Sequence, residues 1–202
     1  AGEQGRVVLD ILRRGGKDED VIFVDDDESL WGTEVNGKEI VGGKGELEKL
    51  EKEEARVVVA FGDEQGVRMR IADRILDRGF SLFSAIDNRS TVSDSATLGE
   101  GVIFNAESYI GPDAEVCDVV LVDSAVSISH DVILERGATV GPNATLAGGV
   151  QVGSDAYIGA GATVIDDLTV GEEAFVGAGA VVTSDVPEGE TVVGVPAAPI
   201  ED

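Results

Sequence analysis

The sequence predicts a mainly β fold, in which a parallel β-helix of six-residue repeats follows a small α/β domain. The β-helix is predicted by an aliphatic or aromatic residue at every sixth position from Val92 to Val182, without interruption. Hydrophobic residues make up only 43% of the chain, so composition alone does not produce sixteen consecutive matches. Neither a helix, with a period of 3.6, nor a flat strand, with a period of 2, gives a six-residue repeat.

A second register, four residues further on, supports the same repeat. Small or aliphatic residues occupy every sixth position from Ala96 to Val186. Each hexad is predicted to form one short strand and one turn, and three hexads close a triangular coil with the large residue inside. Gly follows the large residue in seven hexads, as expected where a turn needs a positive φ or a close backbone approach. A β-sandwich is set aside, because its strands vary in length and their spacing would drift.

The first 80 residues follow a different pattern, in which helices alternate with apolar strands. This alternation predicts a small parallel sheet of the nucleotide-binding, Rossmann-like kind. We therefore expect an α/β domain over residues 1–80 and a β-helix over 81–202, whose tail leaves the prism after Pro187. The predicted elements are a helix over Gln4–Gly15, a strand over Val21–Val24, a short helix over Glu46–Glu54, a strand over Arg56–Gly62 and a helix over Gln65–Arg78.

Charge is the most unusual bulk property of the chain, with 40 acidic and 15 basic residues and a net charge of −25. Such a surface repels nucleic acid and anionic membranes, so neither is expected as a partner. The balance indicates a halophilic protein kept soluble in concentrated salt, with an acidic mesophilic protein as the alternative. The single Cys117 excludes an intramolecular disulfide and favours a reducing cytoplasm. No apolar run approaches a membrane span, and no signal-peptide pattern is present.

Two segments of the α/β region carry residues suited to a nucleotide. Gly2 and Gly5 lie at the start of the first predicted helix, whose N-terminus could meet a diphosphate. A βα phosphate loop needs a strand in front of such glycines, and none precedes them in this sequence. Asp25 and Asp26 follow a predicted strand and could accept hydrogen bonds from a base or a ribose, or could form a solvated acidic turn. Asp63 follows the next strand and is a further candidate.

Several motifs together resemble the hexapeptide-repeat sugar acyltransferases of the sialic acid O-acetyltransferase and UDP-4-amino-sugar (bacillosamine-type) N-acetyltransferase family. The likeness covers nearly the whole chain. It implies a left-handed β-helix, a homotrimer with active sites between subunits, acetyl-CoA along a prism edge, and a nucleotide-sugar on the N-terminal domain. The motifs are the acidic strand end at Asp25–Asp27, the pair His130–Asp131, and the segments Ala144–Val150, Tyr157–Ala162 and Val193–Pro196.

The resemblance also assigns roles to individual residues. Acyl transfer from a thioester needs a proton acceptor, and imidazole changes its charge near neutral pH. His130, the single histidine, takes the place of the family's catalytic base, with Asp131 orienting it, and the amide of Gly148 stabilises the oxyanion. The implied acetyl-CoA contacts are Gly148, Ala160, Ala178 and Pro196, and Asp123 stands where the family commonly has an asparagine in the substrate site.

These residues predict an acetyl-CoA-dependent acetyltransferase acting on an amino group, or a hydroxyl, of a nucleotide-activated sugar, for surface glycan or glycoprotein synthesis. No metal is expected, since the zinc-dependent hexad enzymes need three imidazoles. The alternatives are an acyltransferase for a different small acceptor and a non-catalytic hexad scaffold, which would lack the His130–Asp131 pair. Besides Asp123, the sequence departs from the family at Gln4, Thr139 and Ser184, three positions where the family has basic or histidine side chains.

Overall fold

A computed structural model describes residues 1–62 and 65–200, so Asp63 lies outside the described residues. Among these described residues, the N-terminal region contains two α-helices. The first has an apolar face, one acidic residue in its first turn and two arginines in its last turn, which suit the helix dipole. In chain order the elements are α1 (Glu3–Arg14), β1 (Phe23–Val24), a 3-10 helix (Glu28–Leu30), β2 (Glu34–Val35), β3 (Lys38–Gly42), a 3-10 helix (Lys44–Lys49), β4 (Arg56–Val57), α2 (Val67–Asp77) and β5 (Ser81–Leu82).

The N-terminal strands form two small sheets. Strand β1 pairs in parallel with β3, and β2 pairs with β3 as a hairpin, while β4 pairs in parallel with β5. The hairpin was not predicted, although Asn36 and Gly37, both with positive φ, are the residues that such a turn prefers. The predicted helix over Glu46–Glu54 is a 3-10 helix over Lys44–Lys49 instead. A cleft of about 1380 Å³ lies beside α1 and between the two sheets.

The predicted β-helix is present, with three faces of parallel strands. Face 1 contains β6 (Ala85–Ile86), β9 (Ile103–Phe104), β12 (Leu121–Val122), β15 (Thr139–Val140), β18 (Tyr157–Ile158), β21 (Phe175–Val176), β23 (Thr191–Val193) and the antiparallel edge strand β24 (Ala198–Pro199). Face 2 contains β7 (Thr91–Val92), β10 (Tyr109–Ile110), β13 (Ser127–Ile128), β16 (Thr145–Leu146), β19 (Thr163–Val164) and β22 (Val181–Val182). Face 3 contains β8 (Thr97–Leu98), β11 (Glu115–Val116), β14 (Ile133–Leu134), β17 (Gln151–Val152) and β20 (Thr169–Val170).

The strands from β6 to β22 stack in one register. Each of their residues pairs with the residue 18 positions away, as Ser127 does with Thr145, so one coil is three hexads. The last coil is two residues shorter, because Phe175 of β21 pairs with Thr191 of β23, and β23 therefore continues face 1 beyond Pro187, where the sequence predicted that the tail leaves the prism. Every predicted inward residue from Phe104 to Val182 is buried. Leu98, the inward residue just before this range, is 37% exposed, because β8 is the edge strand of face 3. Three corners join the faces: the first lies between faces 1 and 2, the second between faces 2 and 3, and the third between faces 3 and 1.

At the corner turns, a positive φ and a close approach of backbones are required at different positions, not at the same glycines. Every sixth residue from Gly101 to Gly179 has a positive φ, whether it is glycine or not. The glycines that directly follow the inward residues serve the close approach of backbones instead. At Gly111, for example, a Cβ would lie 2.6 Å from the carbonyl carbon of Ser129, one coil above, so a side chain there would force the coils apart.

The N-terminal region packs on face 1 of the prism. Apolar residues of α1 cover the outer surfaces of the lower strands, and Arg14 forms an ion pair with Asp87. Arg68 of α2 is 5% exposed and donates from Nε to the Val119 carbonyl (2.8 Å) and from Nη2 to the Gly137 carbonyl (2.7 Å). Arg68 therefore satisfies backbone carbonyls of two successive turns at the third corner, and it attaches α2 to the β-helix.

Replacing Arg68 by lysine is expected to destabilise this attachment. A lysine keeps the charge but loses the planar fork, so at least one buried carbonyl is left without a donor. We expect Arg68→Lys to lower the free energy of unfolding by about 2–3 kcal/mol, measured by thermal or urea melting. Arg70→Lys, on the exposed side of the same helix, is the matched control and should melt like the wild type. Equal melting of both variants would contradict this role of Arg68.

Candidate active site

His130 lies in a turn at the second corner, directly after β13. Its Nδ1 is 2.7 Å from Oδ2 of Asp131, and the two side chains are 63% and 66% exposed. Asp131 has a φ of 57°, a left-handed conformation that aspartate tolerates better than most residues. Because Asp131 occupies Nδ1, the Nε2 atom of the imidazole is left to face a ligand. The turn therefore presents a histidine with its tautomer set by a carboxylate.

Gly148 lies one coil above His130 in the same corner. A Cβ on Gly148 would lie 2.5 Å from Cε1 and 2.7 Å from Nε2 of His130, so the absence of a side chain makes room for the imidazole. The Gly148 amide has no hydrogen-bond acceptor among residues 1–62 and 65–200. Pro112 and Pro142 occupy the same position of their own turns, so the fold does not need this N–H. A free amide beside an imidazole suits a developing oxyanion.

The other residues assigned to acetyl-CoA by resemblance lie at the first corner. Ala160 and Ala178 are one coil apart there, and Pro196 follows one coil further, in the turn between β23 and β24. Asp123 is at the same corner, lower in the prism, where its Oδ1 accepts hydrogen bonds from Nδ2 of Asn105 and from the Ser124 amide, both at 2.6 Å. Within one chain, the structure does not bring these residues together with Gly148, because face 2 separates the two corners.

The predicted nucleotide residues lie together at one end of α1. Gly2 is the N-cap, no side chain caps the helix, and nothing lies within 4 Å of the position of a Cβ on Gly2. Gly5 packs against the Phe23 ring, with 3.1 Å between the position of its Cβ and Cε1. The Asp25 carboxylate accepts hydrogen bonds from the Ala1 amino group and the Asp27 amide. Free helix amides beside open space are the features that bind anions.

The Asp26 carboxylate lies 3.6 Å from Nζ of Lys44 and is 69% exposed. Asp26 thus faces solvent at the end of β1, while Asp25 is nearer to the N-terminus of α1. The pKa of Asp25 is affected first by burial, which raises it, but hydrogen bonds from the Ala1 amino group and the Asp27 amide hold it below its ordinary value. Asp25 is therefore a charged acceptor at neutral pH.

A second cavity, which the sequence analysis missed, lies where the N-terminal region ends on face 1. It measures about 520 Å³, and its wall includes Arg68, Thr139 and Asp155. Burial lowers the pKa of Arg68 to about 10, against the attraction of Asp155, so the guanidinium stays charged at neutral pH. The sequence signal was the outward residue of each face 1 strand, which changes from aliphatic at Leu121 to polar and aromatic at Thr139 and Tyr157.

Neither a metal cluster nor a membrane span is found in the part of the chain that the structure describes. In residues 1–62 and 65–200, no group of three or more His, Cys, Asp or Glu side chains is placed to hold a metal ion. Neither of the described α-helices is long and apolar enough to cross a bilayer.

The parallel hexad prism, with a carboxylate-held histidine beside a free glycine amide, defines a hexapeptide-repeat acyltransferase. Residues 1–75 match the family described as PglD N-terminal domain, and residues 149–184 match bacterial transferase hexapeptide (six repeats). GDP-perosamine N-acetyltransferase from Escherichia coli is 30% identical over 173 residues, covering 74% of this chain and 76% of that protein. The chain belongs to the hexapeptide-repeat sugar N-acetyltransferases, whose β-helix is left-handed.

Solved structures give the same result. A GDP-perosamine N-acetyltransferase variant from Caulobacter crescentus, in complex with CoA and GDP-perosamine, is 35% identical with a TM-score of 0.92, covering 100% of this chain and 94% of that one. The acetyltransferase domain of PglB from Neisseria gonorrhoeae, in complex with acetyl coenzyme A, is 33% identical with a TM-score of 0.93, covering 98% and 95%. These similarities extend over both the N-terminal region and the prism.

Replacing Gly148 by alanine tests the contact between this glycine and His130. The added methyl group would occupy the space of the imidazole, so we expect turnover of acetyl-CoA to fall by about 10- to 100-fold. Thermal stability should change little, because the fold does not use the Gly148 amide. Pro112→Ala, two coils below in the same corner position, is the control. Wild-type turnover by Gly148→Ala would show that His130 does not act as the catalytic base in the conformation that it has beside Gly148.

Proposed function

We propose that this protein transfers the acetyl group of acetyl-CoA to the amino group of a nucleotide-activated amino sugar, for surface glycan or glycoprotein synthesis. The observation that carries the proposal is the His130–Asp131 pair beside the free amide of Gly148. The relatives support the same proposal, since the similar proteins from Escherichia coli and Caulobacter crescentus are both named GDP-perosamine N-acetyltransferase.

The arrangement supports a direct transfer. As the amine attacks the thioester carbonyl, a C–N bond forms and the C–S bond breaks. Nε2 of His130 is free to take the proton that the amine loses and to return it to the departing sulfur, while Asp131 holds the ring through Nδ1. The amide of Gly148 would donate a hydrogen bond to the carbonyl oxygen as it gains negative charge, which is typically worth about 2.7–4 kcal/mol.

The two substrates would use different parts of the surface. We infer that the diphosphate of the sugar nucleotide binds the free amides at the N-terminus of α1, near Gly2 and Gly5, with Asp25 and Asp26 facing the nucleoside. The arm of acetyl-CoA would pass the small residues Ala160 and Ala178 toward Pro196. Asp123, on the same corner as these residues, would face the substrates.

This division requires a second chain. The N-terminus of α1, where the diphosphate would bind, belongs to the region that packs on face 1. Face 1 borders the first and third corners, whereas His130 lies at the second. The side chains of one chain therefore cannot bridge the distance between the proposed nucleotide site and His130. We propose a homotrimer, in which the second corner of one subunit meets the first corner and face 1 of the next, as an active site between subunits requires.

The net charge of −25 supports a halophilic, cytoplasmic enzyme as part of the same proposal. The excess of carboxylates repels itself at low ionic strength, whereas charges are screened beyond about 3 Å in 1 M salt. A single cysteine suits a reducing compartment.

Substitution of His130 tests the chemistry most simply. Positioned acid–base catalysis contributes about 10²–10⁴-fold, so His130→Ala and His130→Asn should each lower kcat by that range with acetyl-CoA and GDP-perosamine as substrates. Asp131→Asn should lower kcat less, because it disturbs orientation without removing the base. Ser129→Ala, in the same turn, is the control. If His130→Ala keeps more than about a tenth of the wild-type kcat, the scaffold alternative gains.

Assembly and salt are tested together. Light scattering in about 2 M KCl should give a trimer, because most charge repulsion is screened there. In dilute buffer the melting temperature should be lower and the trimer should loosen. An active monomer at high salt would rule out the shared site, and a melting temperature independent of KCl would rule out the halophilic adaptation.

A further inference from the structure

Basic residues are distributed unevenly along this chain. Of the 15 lysines and arginines, 14 lie within residues 1–89, and Arg136 is the only one that follows. Residues 90–202, by contrast, contain 19 aspartates and glutamates. Arg136 lies at the third corner, where it forms an ion pair with Asp73 of α2. The surface of the prism is therefore almost entirely negative.

The basic side chains of residues 1–89 are held near the N-terminal region. Arg68 is buried at the third corner and attaches α2, which carries two further arginines. Lys17 lies over the ring of Phe83, 5.5 Å from its centroid. Ion pairs with carboxylates of the region, or with Asp87 in the lowest turn of the first corner, are formed by Arg6, Arg13, Arg14, Lys38, Lys44, Lys49 and Arg89. These contacts keep most of the positive charge beside face 1 and the third corner.

The second corner carries carboxylates on its upper turns, above His130. Residues 18 positions apart share a corner position, so Gly148, Asp166 and Ser184 follow His130 in successive coils. Asp166, Ser184 and Asp185 are all exposed. No lysine or arginine occurs after Gly148 in the sequence. A ligand that extends upward from Gly148 along the prism therefore meets carboxylates, and no basic side chain of these coils.

The proposed donor, acetyl-CoA, carries three phosphate groups at the end far from its thioester. With the thioester at Gly148 and the arm directed past Ala178 toward Pro196, as proposed, these phosphates reach the upper coils. Phosphates are commonly held by lysine or arginine, which displace the cations that accompany them, so affinity falls as the salt concentration rises. In every copy of this chain the upper coils offer carboxylates and backbone amides instead. The charge of the phosphates is therefore left to be neutralised by cations from solution.

We propose that acetyl-CoA binds this protein together with cations from solution, which remain between its phosphates and the carboxylates of the upper prism. Binding then takes up cations instead of releasing them, so a high concentration of KCl favours the complex. The affinity for acetyl-CoA rises with KCl, the opposite of what a phosphate site built from lysine or arginine shows. The proposal rests on the proposed function and adds the ionic condition under which the donor binds.

Titration calorimetry of CoA binding, with no acceptor present, tests the sign of the salt dependence. Uptake of one or two cations should lower the Kd for CoA by about 5- to 50-fold between about 0.2 and 2 M KCl. Dephospho-CoA, which lacks the 3′-phosphate, should show a smaller decrease. Light scattering at each concentration monitors the assembly. A Kd for CoA that rises with KCl, or that does not change, would overturn the proposal.

S-acetylpantetheine separates an effect on the phosphates from an effect of salt on folding or assembly. It keeps the thioester and the arm but has no phosphate. Loosening of the protein in dilute salt lowers kcat/KM for both donors, so the ratio of kcat/KM for acetyl-CoA to that for S-acetylpantetheine cancels this contribution. We expect the ratio to rise with KCl by about the factor found for Kd. A ratio independent of KCl would assign the salt effect to the protein and would contradict the proposal.

Ser184→Lys restores one cation to the upper second corner. The ammonium group should replace one cation from solution, so the Kd for CoA should fall by about 3- to 10-fold in about 0.2 M KCl and should depend less on KCl than in the wild type. Gln151→Lys, exposed on face 3, makes the same change in net charge and is the matched control, with the Kd of the wild type at every KCl concentration. If the two lysines have equal effects, the net charge rather than the upper prism controls affinity, and the proposal fails.

The outcomes separate this proposal from the proposed function. If CoA binds more tightly as KCl increases and Ser184→Lys reduces this dependence, but no acetyl group is transferred to GDP-perosamine, the cation proposal stands and the proposed reaction fails. If acetyl transfer occurs while the affinity for CoA falls with KCl, the proposed reaction stands and the cation proposal fails.

Discussion

The 18-residue coil is the constraint on which the rest of the structure depends. Because the strands from β6 to β22 pair in one register with the strand one coil away, residues of this range whose numbers differ by 18 share a corner or a face. This places Gly148 above His130 at the second corner, and Ala178 above Ala160 at the first. A slip of one residue anywhere in the prism would turn inward side chains outward and separate each of these pairs.

The same constraint separates the two halves of the site. The N-terminal region is fixed to face 1 by Arg68 and by the apolar side of α1, so whatever it binds is presented along that face. His130 is at the opposite corner of the triangle. If the acceptor binds along face 1, as proposed, it lies on the opposite side of the prism from His130, and the proposed site is completed by a second copy of the chain rather than by a movement within one chain.

The features that periodicity determines were predictable from the sequence, namely the hexad prism and its inward residues from Phe104 to Val182. His130 and Gly148 were assigned by resemblance to a family, and the structure places them next to each other. The Asn36–Gly37 hairpin was not predicted, because that segment lacks a long apolar run. The strand predicted over Arg56–Gly62 is present but shorter, covering only Arg56–Val57. The contacts of Arg68 and the cavity beside Asp155 were missed for a different reason. A hexad pattern identifies inward residues but does not show which outward residues a preceding domain will cover.

The central claim, that one active site needs two chains, is tested most directly by mixing two inactive variants. His130→Ala lacks the base, and Gly2→Asp puts a carboxylate where the diphosphate would bind. When the two are unfolded together and refolded as mixed trimers, about one quarter of the sites should combine an intact His130 with an intact α1 end, and acetyl transfer should return to about that fraction of wild type. Activity no higher than that of the separate variants would contradict the account, because each chain would then build its own site.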